Sequence, residues 1–244
     1  MLHKTKGIVL RTVKYGETSL ICTIFTELLG IQTYMVKGVR SAKAKSRKAN
    51  AFFAASLLDM VVYHNPQKNL QMIKEYQPSV IFQTLNEDVV KNGVAIFGVE
   101  VIGQLLTQLD TQPELFTFFE EFLLLLDQTA NSDLANFPLY FLIQAGKLSG
   151  YYLSGQYDAT YHHVNIHDGR FSTEAGHFPP FIEGYDAALM STLNSANTLH
   201  DIKNIKMNGD ERKRVLSYFL AFLQAHVPHF TPLKSLPVLA AILY

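Results

Sequence analysis

The sequence predicts an α+β fold, with a five-stranded β-barrel over residues 1–80 and an α-helical part over 81–244 that carries a small inserted β-hairpin near 160–180. Three observations predict it. The first 80 positions hold short runs of β-branched and aromatic residues separated by turn signals. After Pro78 the apolar residues recur at spacings of three and four. Near Asp168-Gly169 that helical period gives way to a stretch of alternating residues.

The strand-like runs are GIVLRTVKYG, SLICTIFTE, IQTYMVKG, FFAASLLDMVVYH and NLQMIKEYQ, parted by turn material at Tyr15-Gly16-Glu17, Leu29-Gly30 and Asn65-Pro66. Five strands in about 75 residues, three joined tightly and the fourth reached by a longer connection, have the size and rhythm of a small OB-type barrel. Beyond it, Val90, Val94, Phe97, Val101, Leu105 and Leu109 mark one face of a helix. Thr111, Pro113 and Glu114 start a second helix, in which Leu115, Phe118, Phe119, Phe122, Leu123 and Leu126 leave little polar surface. Such a helix is expected at the centre of a bundle, with PLYFLIQAGKLSG beside it, ending at Gly150. Val164 and Ile166 alternate up to Asp168-Gly169, a two-residue hairpin signal, and Arg170-Phe171-Ser172 returns. Helices resume near Tyr185. Asn208 and Glu211 form a capping pair before Val215, Phe219, Phe222 and Leu223, and Ser235 with Pro237 opens a short terminal helix.

The chain has no net charge, yet the charges are unevenly spread. Residues 1–80 carry twelve Lys and Arg against four Asp and Glu, and residues 81–244 carry nine against seventeen. A basic part joined to an acidic part points to polyanion binding by the first and another task for the second. The single cysteine, Cys22, lies in an apolar strand and excludes a disulfide framework or a cysteine zinc cage, as in a reducing cytosol. MLHKTKGIVL lacks a signal-peptide core and no apolar run is long enough to cross a bilayer, so no membrane partner is expected.

Six cations, Lys37, Arg40, Lys43, Lys45, Arg47 and Lys48, fall within twelve residues of the connection between strands three and four, with no acid among them. Cations on a loop neutralise phosphates and release counterions, and Tyr15, Tyr34, Phe52 or Tyr63 could stack bases where they point outward. Each aromatic is assigned to the core by default, and strand alternation makes Tyr34 the best outward candidate. His162, His163, His167 and His177 crowd the hairpin; His163 and His167 stand apart along an apparent strand on which residues of like parity share a face, but a metal site needs three or four convergent ligands and no cysteine joins them. They are taken as surface and turn residues, with no metal and no cofactor. Glu120-Glu121 is taken as the solvated edge of its helix. No G-x-S-x-G, P-loop, G-x-G-x-x-G or H-E-x-x-H motif is present, so a binding protein is expected rather than an enzyme.

KTKGIVLRTVKYGETSLICTIFTELLG and YMVKGVRSAKAKSRKANAFFAASLLDMVVYH resemble the N-terminal region of the bacterial RecO family of DNA repair proteins. LIQAGKLSGYYL and FTPLKSL resemble its helical part, in the same order. The resemblance implies an OB-fold and a helical domain, binding of single- and double-stranded DNA, annealing of complementary strands, and recombinase loading together with RecR. It also implies contact with the acidic, apolar-ended C-terminal tail of the single-stranded-DNA-binding protein, and a cytoplasmic, nucleoid-associated location. By position, Lys37 to Lys48 with Lys6, Arg11 and Lys14 would form the DNA surface. For the tail, Arg212, Lys213, Arg214 and Lys234 are the basic residues of an otherwise acidic helical part. Many family members carry a four-cysteine zinc site after LSGY, whereas Tyr157 to Phe181 contains no cysteine. The hairpin is therefore expected to stand without metal, on the Asp168-Gly169 turn and on Tyr161, Ile166, Phe171 and Phe178. Two rival classes remain on the residues alone: a metal-dependent hydrolase using the His162–His177 cluster, and a generic RNA-binding OB protein.

Overall fold

The computed structural model describes residues 1–39, 51–106 and 111–243. Five strands, β1 (Leu2–Tyr15), β2 (Ser19–Thr26), β3 (Gly30–Val36), β4 (Leu57–Tyr63) and β5 (Gln71–Pro78), close into a barrel in the order β1-β2-β3-β5-β4. All neighbours are antiparallel except β3 and β5, which run parallel and meet at Tyr34–Gln71 and Met35–Met72. This is an OB-like topology. β1 serves both sides of the barrel. Its first half pairs with β4 and its second half with β2, and the register shifts between Val9 and Arg11. An extra residue in one strand increases twist and bends it, which lets a single 14-residue strand curl around a small barrel. At Gly7 a Cβ would fall 2.4 Å from Met60 Cε and 2.6 Å from Ile24 Cγ2, so any larger residue would force these core side chains to shift where the strands cross.

The barrel interior holds Val9, Leu20, Cys22, Ile24, Tyr34, Val36, Leu58, Met60 and Val62. Cys22 is fully buried, and burial pushes its thiol pKa up. The fourth strand starts later than its apolar run suggests. Residues 51–56 form turns beside the β1 bulge, where the Val9 N–H donates to Ser56 O, the Ala55 N–H to Val9 O, and the Thr12 hydroxyl to Phe52 O. Phe52 packs its ring edge-on to Tyr76, 4.6 Å between centroids.

The chain divides into two compact units. Met1–Glu87 clusters with helix α2 (Pro113–Gln128), while helix α1 (Val89–Leu105) and the described residues from Thr129 onward form the second unit. The phenylalanine-rich α2 was expected in the middle of a helical bundle, and the structure corrects this. The Phe116 ring lies 5.4 Å from that of Phe25 on β2, and Glu120 binds Lys6. Near the end of α2, Asp127 accepts the N–H groups of Gln83, Thr84 and Leu85 at 2.8–2.9 Å. Apolar periodicity shows that a helix is buried; it does not show against what.

In the second unit α3 (Phe137–Leu148) packs on α1, on α5 (Leu199–Asn204) and on α6 (Gly209–His226). Asn208 and Glu211 form the reciprocal capping box anticipated at the start of α6. The terminal helix α7 (Leu236–Leu243) packs on α1, which also clamps the segment before it. Glu100 Oε1 accepts the Lys234 N–H at 2.7 Å, Glu100 Oε2 accepts the Ser235 N–H and hydroxyl, and Gln104 Oε1 accepts from Thr231. Burial alone would raise the Glu100 pKa, but these donors outweigh it and hold the carboxyl below its ordinary value.

The hairpin is present as β6 (His163–Asn165) and β7 (Arg170–Ser172), joined by a third strand, β8 (Ile182–Glu183), in the order β7-β6-β8 before α4 (Gly184–Ser195). Its turn differs from the two-residue expectation. Asn165 pairs with Arg170, so Ile166 to Gly169 all belong to the loop. The Asn165 side chain accepts the N–H groups of His167 and Asp168, and Gly169 takes the positive φ of 66° that closes the turn. Ile166 and Phe171 are buried as expected. Tyr161 and Phe178, expected to pack, are instead exposed, at 47% and 67%.

Candidate nucleic-acid interface

Strand register decides which side chains share the outer face of the barrel. Arg11 is paired with Thr23 and Thr23 with Thr33; two residues on, Val13 is paired with Ile21 and Ile21 with Met35. Two further on, Tyr15 pairs with Ser19, and Lys37 lies one residue past the Leu20–Val36 pair. Arg11, Val13 and Tyr15 are exposed, as is Lys37, so the β1–β2–β3 surface carries a cation on each side of an apolar row. Lys14 is also exposed, near the end of β1. In OB barrels this surface, with the β1–β2 and β4–β5 loops, is where oligonucleotides bind.

Arg40, Lys43, Lys45, Arg47 and Lys48 lie outside the described residues. Their attachment points do not. Val39 before them and Ala51 and Phe52 after them are buried in the barrel core.

Lys6 is placed differently from the other cations. Its Nζ donates to both oxygens of Glu120, at 2.8 and 3.0 Å, and this hydrogen bond raises its pKa against the opposing effect of burial. Glu120, read from sequence as a solvated helix edge, is thus a structural partner with a side chain only 17% exposed. The groove beside Lys6, about 740 Å³, also holds Lys4, Glu27, Asp59 and Glu75, so acids outnumber cations there and the groove is less suited to phosphate than the side that presents Arg11 and Lys37.

Among the aromatics, the structure overturns the choice of Tyr34. It is fully buried in the barrel, its hydroxyl has no hydrogen-bond partner among the described residues, and burial raises its pKa. The parity of β3 was ambiguous because Gln32 and Thr33 make both faces partly polar. Tyr15 and Tyr63, assigned to the core by default, are exposed at 52% and 51%. The signal for Tyr63 was readable: Asp59 must face out of β4, and Val61 and Tyr63 share its parity. Phe52 is buried as assigned.

In the helical unit the four basic candidates separate. Arg214 makes a two-pronged pair with Asp186 at 2.7 and 2.8 Å, and Tyr218 donates to the same carboxylate at 3.2 Å. The Arg214 hydrogen bonds, against the opposing effect of burial, hold the Asp186 pKa below its ordinary value. Arg212 Nε donates to Asn136 Oδ1 at 2.8 Å, and Asn136 is itself buried. Lys213 and Lys234 present exposed side chains. At the hairpin the His162 and His163 rings are 4.4 Å apart, His163 Nδ1 is 3.4 Å from Glu183, and His167 lies edge-on to Phe178. No group of three or more potential ligands is placed to hold a metal among the described residues, and none of their helices is long and apolar enough to cross a membrane.

Fold and surface together define a class: an OB-like barrel with a cation-flanked outer face, joined to an α-helical unit. Comparison with known proteins makes this specific. The family described as recombination protein O, N terminal, matches residues 1–82, and that described as recombination protein O, C terminal, matches residues 86–237. The chain is 31% identical to the DNA repair protein RecO of Bacteroides fragilis over 245 residues, covering 98% of each chain. It is 28% identical to that of Flavobacterium johnsoniae and 29% identical to that of Christiangramia forsetii, covering 99% of each. The chain belongs to the RecO family of DNA repair proteins.

Proposed function

We propose that this protein is a non-enzymatic mediator of DNA repair and homologous recombination. It binds single- and double-stranded DNA through the barrel, anneals complementary strands, and acts with RecR in loading recombinase, which it reaches only indirectly. The observation that carries this reading is the exposure of Arg11 and Lys37 on the β1–β2–β3 side of the barrel, with Lys14 exposed near the end of β1, in a chain of this family. Phosphate binding there would be electrostatic and salt-dependent. Lys6 is left out of the proposed surface because Glu120 already neutralises it.

The helical unit would receive the acidic tail of the single-stranded-DNA-binding protein. Of the four basic candidates, Lys213 and Lys234 are the exposed ones, with Lys234 near Glu100, and they are the ones proposed to meet tail carboxylates. Work at the nucleoid in the cytoplasm follows from this role. The test is annealing of complementary oligonucleotides coated with the cognate single-stranded-DNA-binding protein, with and without RecR. Acceleration of pairing by this protein is expected. Binding to RNA as tight as to DNA, with no annealing, would sink the reading in favour of a generic RNA-binding OB protein.

A further inference from the structure

The three-stranded sheet β7-β6-β8 has two unlike faces. Val164, Phe171 and Ile182 share one face and are buried. Register places His163 and Asn165 of β6, Arg170 and Ser172 of β7 and Glu183 of β8 on the other. The chain between β7 and β8 returns across that outer face, since a Cβ at Gly176 would lie 3.4 Å from Asn165 Oδ1. There it exposes two phenylalanines. Phe178 is 67% exposed and meets the His167 ring edge-on at 5.9 Å, and Phe181, directly before β8, is 60% exposed. Tyr161, two residues before the β6–β8 ladder, and Tyr185, two residues after it, are exposed as well. Single exposed apolar side chains are ordinary, but this many aromatics around one small sheet make a patch of the kind that an interaction surface presents.

Charge selects the partner. From Tyr157 to Asp186 the chain has five acids, Asp158, Asp168, Glu174, Glu183 and Asp186, and Arg170 as its one Lys or Arg. Arg170 lies 3.3 Å from Asp168, and Asp186 is held by Arg214, which leaves Asp158, Glu174 and Glu183 without a Lys or Arg partner among the described residues. Glu183 stands on the outer face itself, two residues from Phe181, with a side chain 68% exposed. Nucleic-acid phosphates and an acidic peptide are both repelled from such a face. An aromatic patch with an acidic rim complements a protein surface on which Lys and Arg surround an apolar cleft.

We propose that the outer face of this sheet docks a protein partner with a basic contact surface, with Phe178 and Phe181 as the side chains that enter it and Glu174 and Glu183 as the charges that orient it. The role is separate from DNA binding by the barrel and from capture of an acidic tail, which needs charge of the opposite sign. It rests on the reading that the chain works with RecR and a recombinase, the two proteins used as probes.

The test uses the full chain. Wild type, the Phe178→Ala/Phe181→Ala variant and the Glu174→Gln/Glu183→Gln variant are titrated with cognate RecR and, separately, with the cognate recombinase, at low and moderate salt. Thermal melting and oligonucleotide annealing are the controls. Expected with one of the two proteins are a loss of about tenfold or more in the phenylalanine variant, a smaller loss in the glutamate variant, and wild-type affinity that weakens as salt rises. Melting and annealing should hold in both variants. Binding of both proteins unchanged in the phenylalanine variant would overturn the docking face. A loss that neither salt nor the glutamate variant reproduces would overturn the basic partner. Loss of DNA binding in the phenylalanine variant would make the face a nucleic-acid surface instead, and a wild-type dimer dissolved by that variant, seen by sedimentation, would mean that a second copy of the chain covers it. Wild type that binds neither protein yet still anneals would overturn the docking face and leave DNA binding standing; absence of annealing as well would remove the wider reading.

Discussion

Replacing Asp127 by alanine tests why helix α2 clusters with the barrel rather than with the other helices. A carboxylate near a helix C-terminus is unfavourable by about 0.3–1 kcal/mol, because it faces the negative end of the helix dipole. Here it accepts the N–H groups of Gln83, Thr84 and Leu85 at 2.8–2.9 Å and lies 3.2 Å from the Thr84 hydroxyl. Bonds to a charged acceptor contribute about 1.5–3 kcal/mol when well formed. Gln83 and Thr84 are exposed and can turn to water, whereas Leu85 is buried and its N–H cannot do so as freely. Counting one such bond fully and the others weakly, and crediting relief of the dipole repulsion, Asp127→Ala should cost about 1.5–2.5 kcal/mol. Burial raises the Asp127 pKa, but the backbone and Thr84 donors outweigh it, so the pKa lies below its ordinary value. The contribution is therefore present above the unfolded pKa of about 4 and is lost as pH falls through the lower native pKa. Urea unfolding at pH 7 and near pH 3 measures the loss and its pH dependence, and amide exchange at Gln83–Leu85 localises it. A variant within about 0.5 kcal/mol of wild type, with exchange at those amides unchanged, would refute the reasoning.

If all six cations from Lys37 to Lys48 contact single-strand phosphates, log affinity against log salt should slope by about −4. Replacing Arg40, Lys43, Lys45 and Arg47 by alanine should flatten it to roughly −1.4, with little change in melting temperature. An unflattened slope would move the DNA elsewhere. Arg214→Ala should cost about 1–2 kcal/mol by releasing Asp186 and Tyr218, and Lys213→Ala less than about 0.5. Asp186 has a lowered pKa, so the Arg214 contribution should fade as pH drops through the native value, below about 4. A labelled acidic tail peptide, followed by anisotropy, should lose affinity on changing Lys213 and Lys234 together while naked-DNA binding holds; unaltered peptide affinity would place its docking site elsewhere. Substituting His163 and His167 together should leave stability and DNA binding near wild type, and elemental analysis finding one zinc per chain, lost in that variant, would contradict the metal-free reading.

Local signals carried the strands, the capping box at Asn208 and Glu211, and the existence of the hairpin, because each depends on neighbours in sequence. What depended on distant partners was not legible. β8 is two residues long and exists only because His163 and Val164 offer it an edge. The inward turn of Tyr34 follows from closure of the barrel, where it meets Gln71 across the parallel β3–β5 pair. The burial of α2 was readable from its phenylalanines, yet Phe25 and Lys6 lie about 90–115 residues earlier in the chain and nothing local points to them. The charge imbalance between the two parts of the chain was visible at once, but it could not say which cations were committed.

That distinction changes how a basic surface is read. An exposed pair contributes little to stability and can exchange its partner for a phosphate, whereas a cation bound by a half-buried carboxylate would have to abandon a desolvated charge to do so. Lys6 faces Glu120, with a side chain 17% exposed, and Arg214 faces Asp186, 19% exposed. Moving either cation onto a ligand strands that carboxylate, so both are poor ligand contacts although each belongs to a basic cluster in the sequence. Arg11, Lys14 and Lys37 have no such half-buried acidic partner among the described residues. On the proposed reading these exposed cations, rather than Lys6, are the ones that would meet phosphate, so a basic surface is to be read from which cations are uncommitted as much as from where cations occur.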